Sequence, residues 1–175
     1  MKLRMIFSAV VLVILAGVAV AQTPQMPKPG PEVKRLQYYA GTWHSELEMK
    51  MAPGGKMTGT DHSEMMPGGF FLVTHTEGKG MMGELKELAV MGYDPMEKVY
   101  TYDAFNSFGE AEHFKGTVQG DTWTWTSKGN FGGKLTDMRF TAKEVSPTSY
   151  TMKLEIAGDG GAWTTVMEGK AAKVK

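Results

Sequence analysis

Cysteine is absent from this chain of 175 residues. That absence rules out disulfides and any thioether-linked lipid, so the fold must be held by its core alone. An excess of charge of one sign is missing as well: 19 lysines and arginines stand against 19 aspartates and glutamates. Such a balance gives no electrostatic reason to expect nucleic acid or an anionic membrane as partner. There is no Gly-x-Ser-x-Gly elbow, and the histidines and methionines supply no set of three converging metal ligands. Neither catalytic nor metal-binding residues are assigned on these grounds.

What is present begins with "MKLRMIFSAVVLVILAGVAVAQ". Lys2 and Arg4 precede an apolar run from Met5 to Val20, and Ala19-Val20-Ala21 is a small-residue cleavage site. Residues 1–21 therefore read as a signal peptide, and the run is short for a membrane span, which needs about 20 apolar residues. The expected location is periplasmic or secreted, with no stable membrane anchor once the signal is removed. Residues 22–30 form a Pro-rich leader, "QTPQMPKPG", and residues 31–175 form one domain.

Within that domain, turn signals recur at short intervals: "PGGK" at 53–56, "PGG" at 67–69, "GKGMMG" at 78–83, "DPMEK" at 94–98 and "NSFGE" at 106–110. They continue with "QGD" at 119–121, "KGNFGG" at 128–133, "SPTS" at 146–149 and "AGDGG" at 157–161. Alternating runs between these turns predict about ten antiparallel strands, hence an all-β fold. Only residues 31–39 look helical, with Pro31 at the start and Gly41 just beyond. An up-and-down barrel removes exposed edges, with a two-sheet sandwich as the alternative.

The helix followed by "GTW" at 41–43 resembles the start of calycin barrels, the lipocalin and fatty-acid-binding proteins. More specifically, "YYAGTW", "PGGFFL", "MGYDPMEKVYTY" and "SFGEAE" are similar to an exported bacterial family known as a domain of unknown function. The resemblance runs from Pro31 to about Lys170. It implies a calycin-like barrel and supplies no activity and no functional residues.

Loop chemistry predicts the register. Three-residue loops at "APGGK" and "MPGGF" put Met51 opposite Met57, and then Asp61 opposite His75. One face then holds Trp43, Ser45, Leu47, Met57, Asp61, Ser63 and Met65, with Phe71 and His75 joining it. His44, Glu46, Glu48, His62 and Glu64 fall on the opposite, wet face. A shorter Gly68-Gly69 loop would instead oppose His62 to His75. Trp123, Trp125, Met152 and Trp163 complete the expected inner wall; the facing of Met91, Tyr93, Tyr100 and Tyr102 is left open.

These expectations describe a barrel that binds a small, largely apolar ligand, with Asp61, His75, Ser45, Ser63, Phe71, Trp123, Trp125, Met152 and Trp163 around it. Its methionines, 15 in the whole chain, suit an adaptable pocket. Two other classes stay open. One is a hydrolase or isomerase using His75 as a base oriented by Asp61. The other is a barrel holding haem through His75 or copper through methionines and histidines. No cofactor is assigned, and nucleic acid is not expected as a partner.

Overall fold

The computed structural model describes residues 27–51, 55–81, 83–131, 133–157 and 161–174. The signal-peptide segment 1–21 and residues 22–26 of the leader lie outside the described residues. A short helix α1 (Pro31–Arg35) runs into a 3-10 turn (Leu36–Tyr38), and ten strands follow. They are β1 (Gly41–Met49), β2 (Gly55–Met65), β3 (Leu72–Gly80), β4 (Gly83–Asp94), β5 (Val99–Asn106), β6 (Ala111–Gln119), β7 (Thr122–Phe131), β8 (Lys134–Ser146), β9 (Ser149–Ala157) and β10 (Trp163–Lys173). Each strand pairs antiparallel with the next, and β10 pairs with β1 from Trp43↔Lys173 to Met49↔Met167. The sheet is a closed barrel.

Alternation along β1 explains why this sequence closes inward. Trp43, Ser45 and Leu47 are buried, while His44, Glu46 and Glu48 between them are exposed. Polar side chains outside and apolar ones inside are the reverse of a membrane-spanning barrel.

Helix α1 is too short to be stable alone and is held by the barrel end it closes. Val33 and Leu36 are buried there. The Tyr100 hydroxyl donates to the Glu32 carbonyl at 3.0 Å, and the Tyr38 hydroxyl lies 2.9 Å from the carbonyl oxygens of Ser146 and Ser149. Arg35 pairs with Glu144, which also accepts from Trp123 Nε1 at 2.7 Å. Beneath the helix, Tyr39 meets Trp123 and Tyr150 edge to face, at 5.3 and 5.5 Å between ring centroids. The Trp43 indole donates to the Tyr39 carbonyl at 2.8 Å. This aromatic plug seals one end of the barrel.

Three registers differ from those expected. The first hairpin pairs Met49 with Gly55 and Trp43 with Asp61. The pairing is shifted by four residues from the expected Met51↔Met57, an even slip, so every side chain keeps its face. In the second hairpin the Met66 N–H donates to the Phe71 carbonyl at 2.8 Å across a four-residue loop. Pro67, which has no N–H to give, falls in that loop rather than in the ladder. His62 therefore opposes His75, and Asp61 opposes Thr76. This single-residue change turns His75 and Phe71 outward. In the last hairpin a bulge between Thr165 and Met167 sets Trp163 opposite Ala157. Trp163 consequently lies outside the barrel, with the Arg139 guanidinium 4.3 Å from its ring centroid.

Gly116, opposite Trp125, leaves the space that this indole fills: a Cβ added there would run into the ring. Gly116→Ala is expected to destabilise the barrel by about 1–3 kcal/mol, as an overpacked core does. Urea denaturation should show a lower midpoint with an unchanged m-value.

Candidate functional site

The interior has two unlike walls. Below the plug, strands β8–β10 and β1 contribute Met138, Phe140, Met152, Leu154, Ile156, Met167 and Leu47, an apolar half. Strands β2–β6 contribute Asp61, Ser63, Thr74, Thr76, Glu87, Tyr102 and Glu112, placed on the inside by the ladder pairs Asp61↔Thr76, Thr76↔Glu87, Met91↔Tyr102 and Ala104↔Glu112. Ser45 adds a buried hydroxyl at the seam and donates to the Gly59 carbonyl at 3.4 Å.

Hydrogen bonds tie the polar half together. Thr76 Oγ1 donates to Asp61 Oδ1 at 2.7 Å, and the Tyr102 hydroxyl donates to Glu87 Oε1 at 2.9 Å. Ser63 and Thr74 share a hydroxyl–hydroxyl bond of 2.8 Å. Burial raises the Asp61 carboxyl above its ordinary range, against the opposing pull of Thr76. Burial likewise raises Glu87, helped by the nearby charges of Asp61 and Glu110 and opposed by Tyr102. Glu112 is pushed up to about 7 by burial and then by Glu87 and Glu110. Between the two rims, no lysine, arginine or histidine among the described residues points inward to neutralise these three.

The interior is incompletely packed as well as polarised. Tyr102, Asp61, Leu154, Ile156 and Met167 all face inward yet remain only half-buried, so their surfaces border accessible space. At the end opposite the plug, no helix or strand of the described residues crosses the opening. Among the described residues, helix α1 closes one end of the barrel and no element closes the other.

Of the residues expected around the ligand, the structure places Asp61, Ser45, Ser63, Trp123, Trp125 and Met152 inside. The two tryptophans stack at 5.9 Å and belong to the plug and the packed wall beside it. His75, Phe71 and Trp163 are outside. All four histidines face outward: His44, His62 and His75 on β1–β3, and His113 on β6, bonded to Asp103 at 2.7 Å. A base or haem ligand at His75 thus has no access to the interior. Among the described residues, no group of three or more His, Cys, Asp or Glu is placed to hold a metal ion.

Glu87, Tyr102 and Glu112 escaped sequence reasoning. The signal for Glu112 was there: the alternation that turns Phe114, Gly116 and Val118 inward reaches it two residues earlier. In β4, Leu88 and Val90 are as apolar as Leu85 and Ala89, so periodicity alone does not choose the face of Glu87.

This geometry sits on a fold that others share. The chain belongs to the DUF1579 family, proteins of unknown function. The family model matches residues 28–173. No curated protein matches the chain. Among solved structures it is similar to Rv2717c from M. tuberculosis, at 12% identity and a TM-score of 0.58, covering 83% of this chain and 99% of that one. It is also similar to the S-type phycobiliprotein lyase CPES from Guillardia theta, at 12% identity and a TM-score of 0.56, covering 81% and 92%. Likeness at that identity places this DUF1579 barrel among calycin-type barrels by fold alone.

The carboxyl groups give the barrel a pH dependence of definite sign. A carboxyl whose folded-state pKa is raised contributes stability below its ordinary range, and this is lost as pH rises through the raised value. For Glu112 the window runs from the ordinary glutamate value of 4.5 up to about 7. Glu112→Gln is therefore expected to stabilise the protein by about 2 kcal/mol near pH 8 and to give no such gain near pH 4. Urea denaturation at the two pH values checks this.

Proposed function

We propose that this protein binds a small amphipathic molecule inside the barrel, with an apolar body and a cationic or hydrogen-bond-donating end. The observation that carries the reading is the division of the interior into a Met, Leu and Ile wall and a facing wall of carboxyls and hydroxyls. An apolar body laid against Met138, Met152, Leu154 and Ile156 loses water at a gain of about 25 cal/mol per Å². An ammonium or amide facing Asp61, Glu87 and Glu112 offsets the like-charge repulsion and desolvation that raise their pKa values. The ligand is thus less purely apolar than the methionine-rich composition implies. The apolar leader at residues 5–20, with its small-residue cleavage site, supports a role outside the cytoplasm, periplasmic or secreted. We read the protein as a binder rather than an enzyme, because the interior hydroxyls and carboxyls are bonded to one another along one wall that faces an apolar one.

Octylamine and octanoate, which share a chain and differ in the sign of their head group, test the reading by calorimetry near pH 7.5. Octylamine should bind, and octanoate about tenfold or more weaker, a difference of about 1.4 kcal/mol or more. Asp61→Asn combined with Glu87→Gln should remove that preference while the stability of the fold is retained. Equal binding of both probes, or of neither, would defeat the proposal.

A further inference from the structure

One tyrosine of the aromatic plug reaches toward the polar wall without a partner. Tyr150 stands near the start of β9, on the parity that faces inward with Met152 and Leu154. The residues beside it around the barrel are small: Ala171 lies opposite Tyr150, Ser45 opposite Ala171, and Gly59 opposite Ser45. Asp61 is the next inward residue after Gly59 on β2, and it pairs with Trp43. The Trp43 ring in turn lies 5.0 Å from that of Tyr150. Tyr150 and Asp61 thus face the same part of the interior from walls three strands apart. Burial raises the Tyr150 phenol above its ordinary range, and the charge that acts on it most strongly after that is Asp61. The phenol therefore keeps its proton and is a donor.

Other hydroxyls of the interior are engaged, Thr76 with Asp61, Tyr102 with Glu87, and Ser63 with Thr74. Tyr150 is 8% exposed, and its hydroxyl bonds to no described residue. Tyr39, packed edge to face on it at 5.5 Å, also lacks a partner, but the Tyr39 hydroxyl is sealed off. The Tyr150 hydroxyl is not sealed, so a bound molecule can reach it. A buried donor without an acceptor is costly, and few are left so in a folded protein. Asp61 presents the opposite need: Oδ1 accepts from Thr76, while Oδ2 has no partner among the described residues. A group lodged between the two must accept from Tyr150 and donate to Asp61. A bare ammonium only donates. We propose that Tyr150 determines the specificity of the interior site, and that the ligand carries an accepting oxygen beside its donating nitrogen, as an amino alcohol does. On the reading of the interior given above, on which this rests, the ammonium faces Asp61 and Glu87 while the oxygen accepts from Tyr150.

Octylamine and 1-amino-2-octanol share a chain and an ammonium and differ by one hydroxyl. That hydroxyl favours water, so burial alone makes the amino alcohol the weaker ligand. With Tyr150 as donor it should instead bind about tenfold tighter, by calorimetry near pH 7.5. Tyr150→Phe should remove the gain and leave octylamine within about twofold of its former affinity. Tyr39→Phe, which removes the sealed hydroxyl next to it, should leave both affinities unchanged. A second readout is the tyrosine absorption, which should shift to the red when the amino alcohol binds and not when octylamine does. The proposal is overturned if the amino alcohol binds no tighter than octylamine. It is equally overturned if Tyr150→Phe weakens both alike, the mark of a packing role, or if Tyr39→Phe removes the gain as well. Where Tyr150→Phe does not fold, absence of the red shift overturns it. A preference for octylamine over octanoate that survives these results keeps the broader reading, whereas binding of neither amine defeats both.

Discussion

Closure of the ladder between β1 and β10 is the constraint on which everything else in this molecule rests. Seven residue pairs, from Trp43↔Lys173 to Met49↔Met167, join the first strand to the last. With no free edge, backbone donors and acceptors find partners sideways, and inside or outside is decided for each side chain by parity alone. Without cysteine, nothing covalent assists this closure, so the two chain ends must be brought together by packing. Helix α1 helps by bridging distant parts of the rim: Tyr100 of β5 holds its first turn, and Glu144 of β8 holds Arg35 near its end.

The two barrel ends divide the labour. At the plugged end, Leu36, Tyr39, Trp43, Tyr100, Trp123 and Tyr150 are nearly fully buried, and Trp123 meets Tyr39 and Tyr100 edge to face. Aromatic pairs of this kind contribute about 0.5–1.5 kcal/mol each beyond the area they bury. Toward the mouth, packing loosens and the inward side chains are less fully buried. Stability is concentrated at the plugged end, which leaves the other half free to pack more loosely.

That looser half carries carboxylates that a barrel selected for stability alone would have replaced. Asp61, Glu87 and Glu112 share one wall with no inward cation between the rims, and each is held above its ordinary pKa by burial first. Like charges that repel one another in a partly desolvated wall lower the stability of the empty protein near neutral pH. A bound cation of the kind proposed would offset that cost.

The residues themselves determined the architecture: nine turn signals, the strand alternation between them and one short helix define ten antiparallel strands, and the faces of β1 and β2 follow from their pattern. Register was a tertiary matter, because it depends on how many residues each loop keeps out of the ladder. At the first hairpin the slip was even and harmless. At the second, moving Pro67 into a four-residue loop exchanged His75 for Thr76 as the partner of Asp61. At the last, the bulge before Met167 put Trp163 outside. The facing of Glu87 was undetermined for a different reason: β4 is apolar at both parities over residues 88–91, and only pairing with Thr76 on one side and Asn106 on the other assigns it to the interior. A side-chain period of two makes the sheet certain and the face of any one residue a matter of a single count.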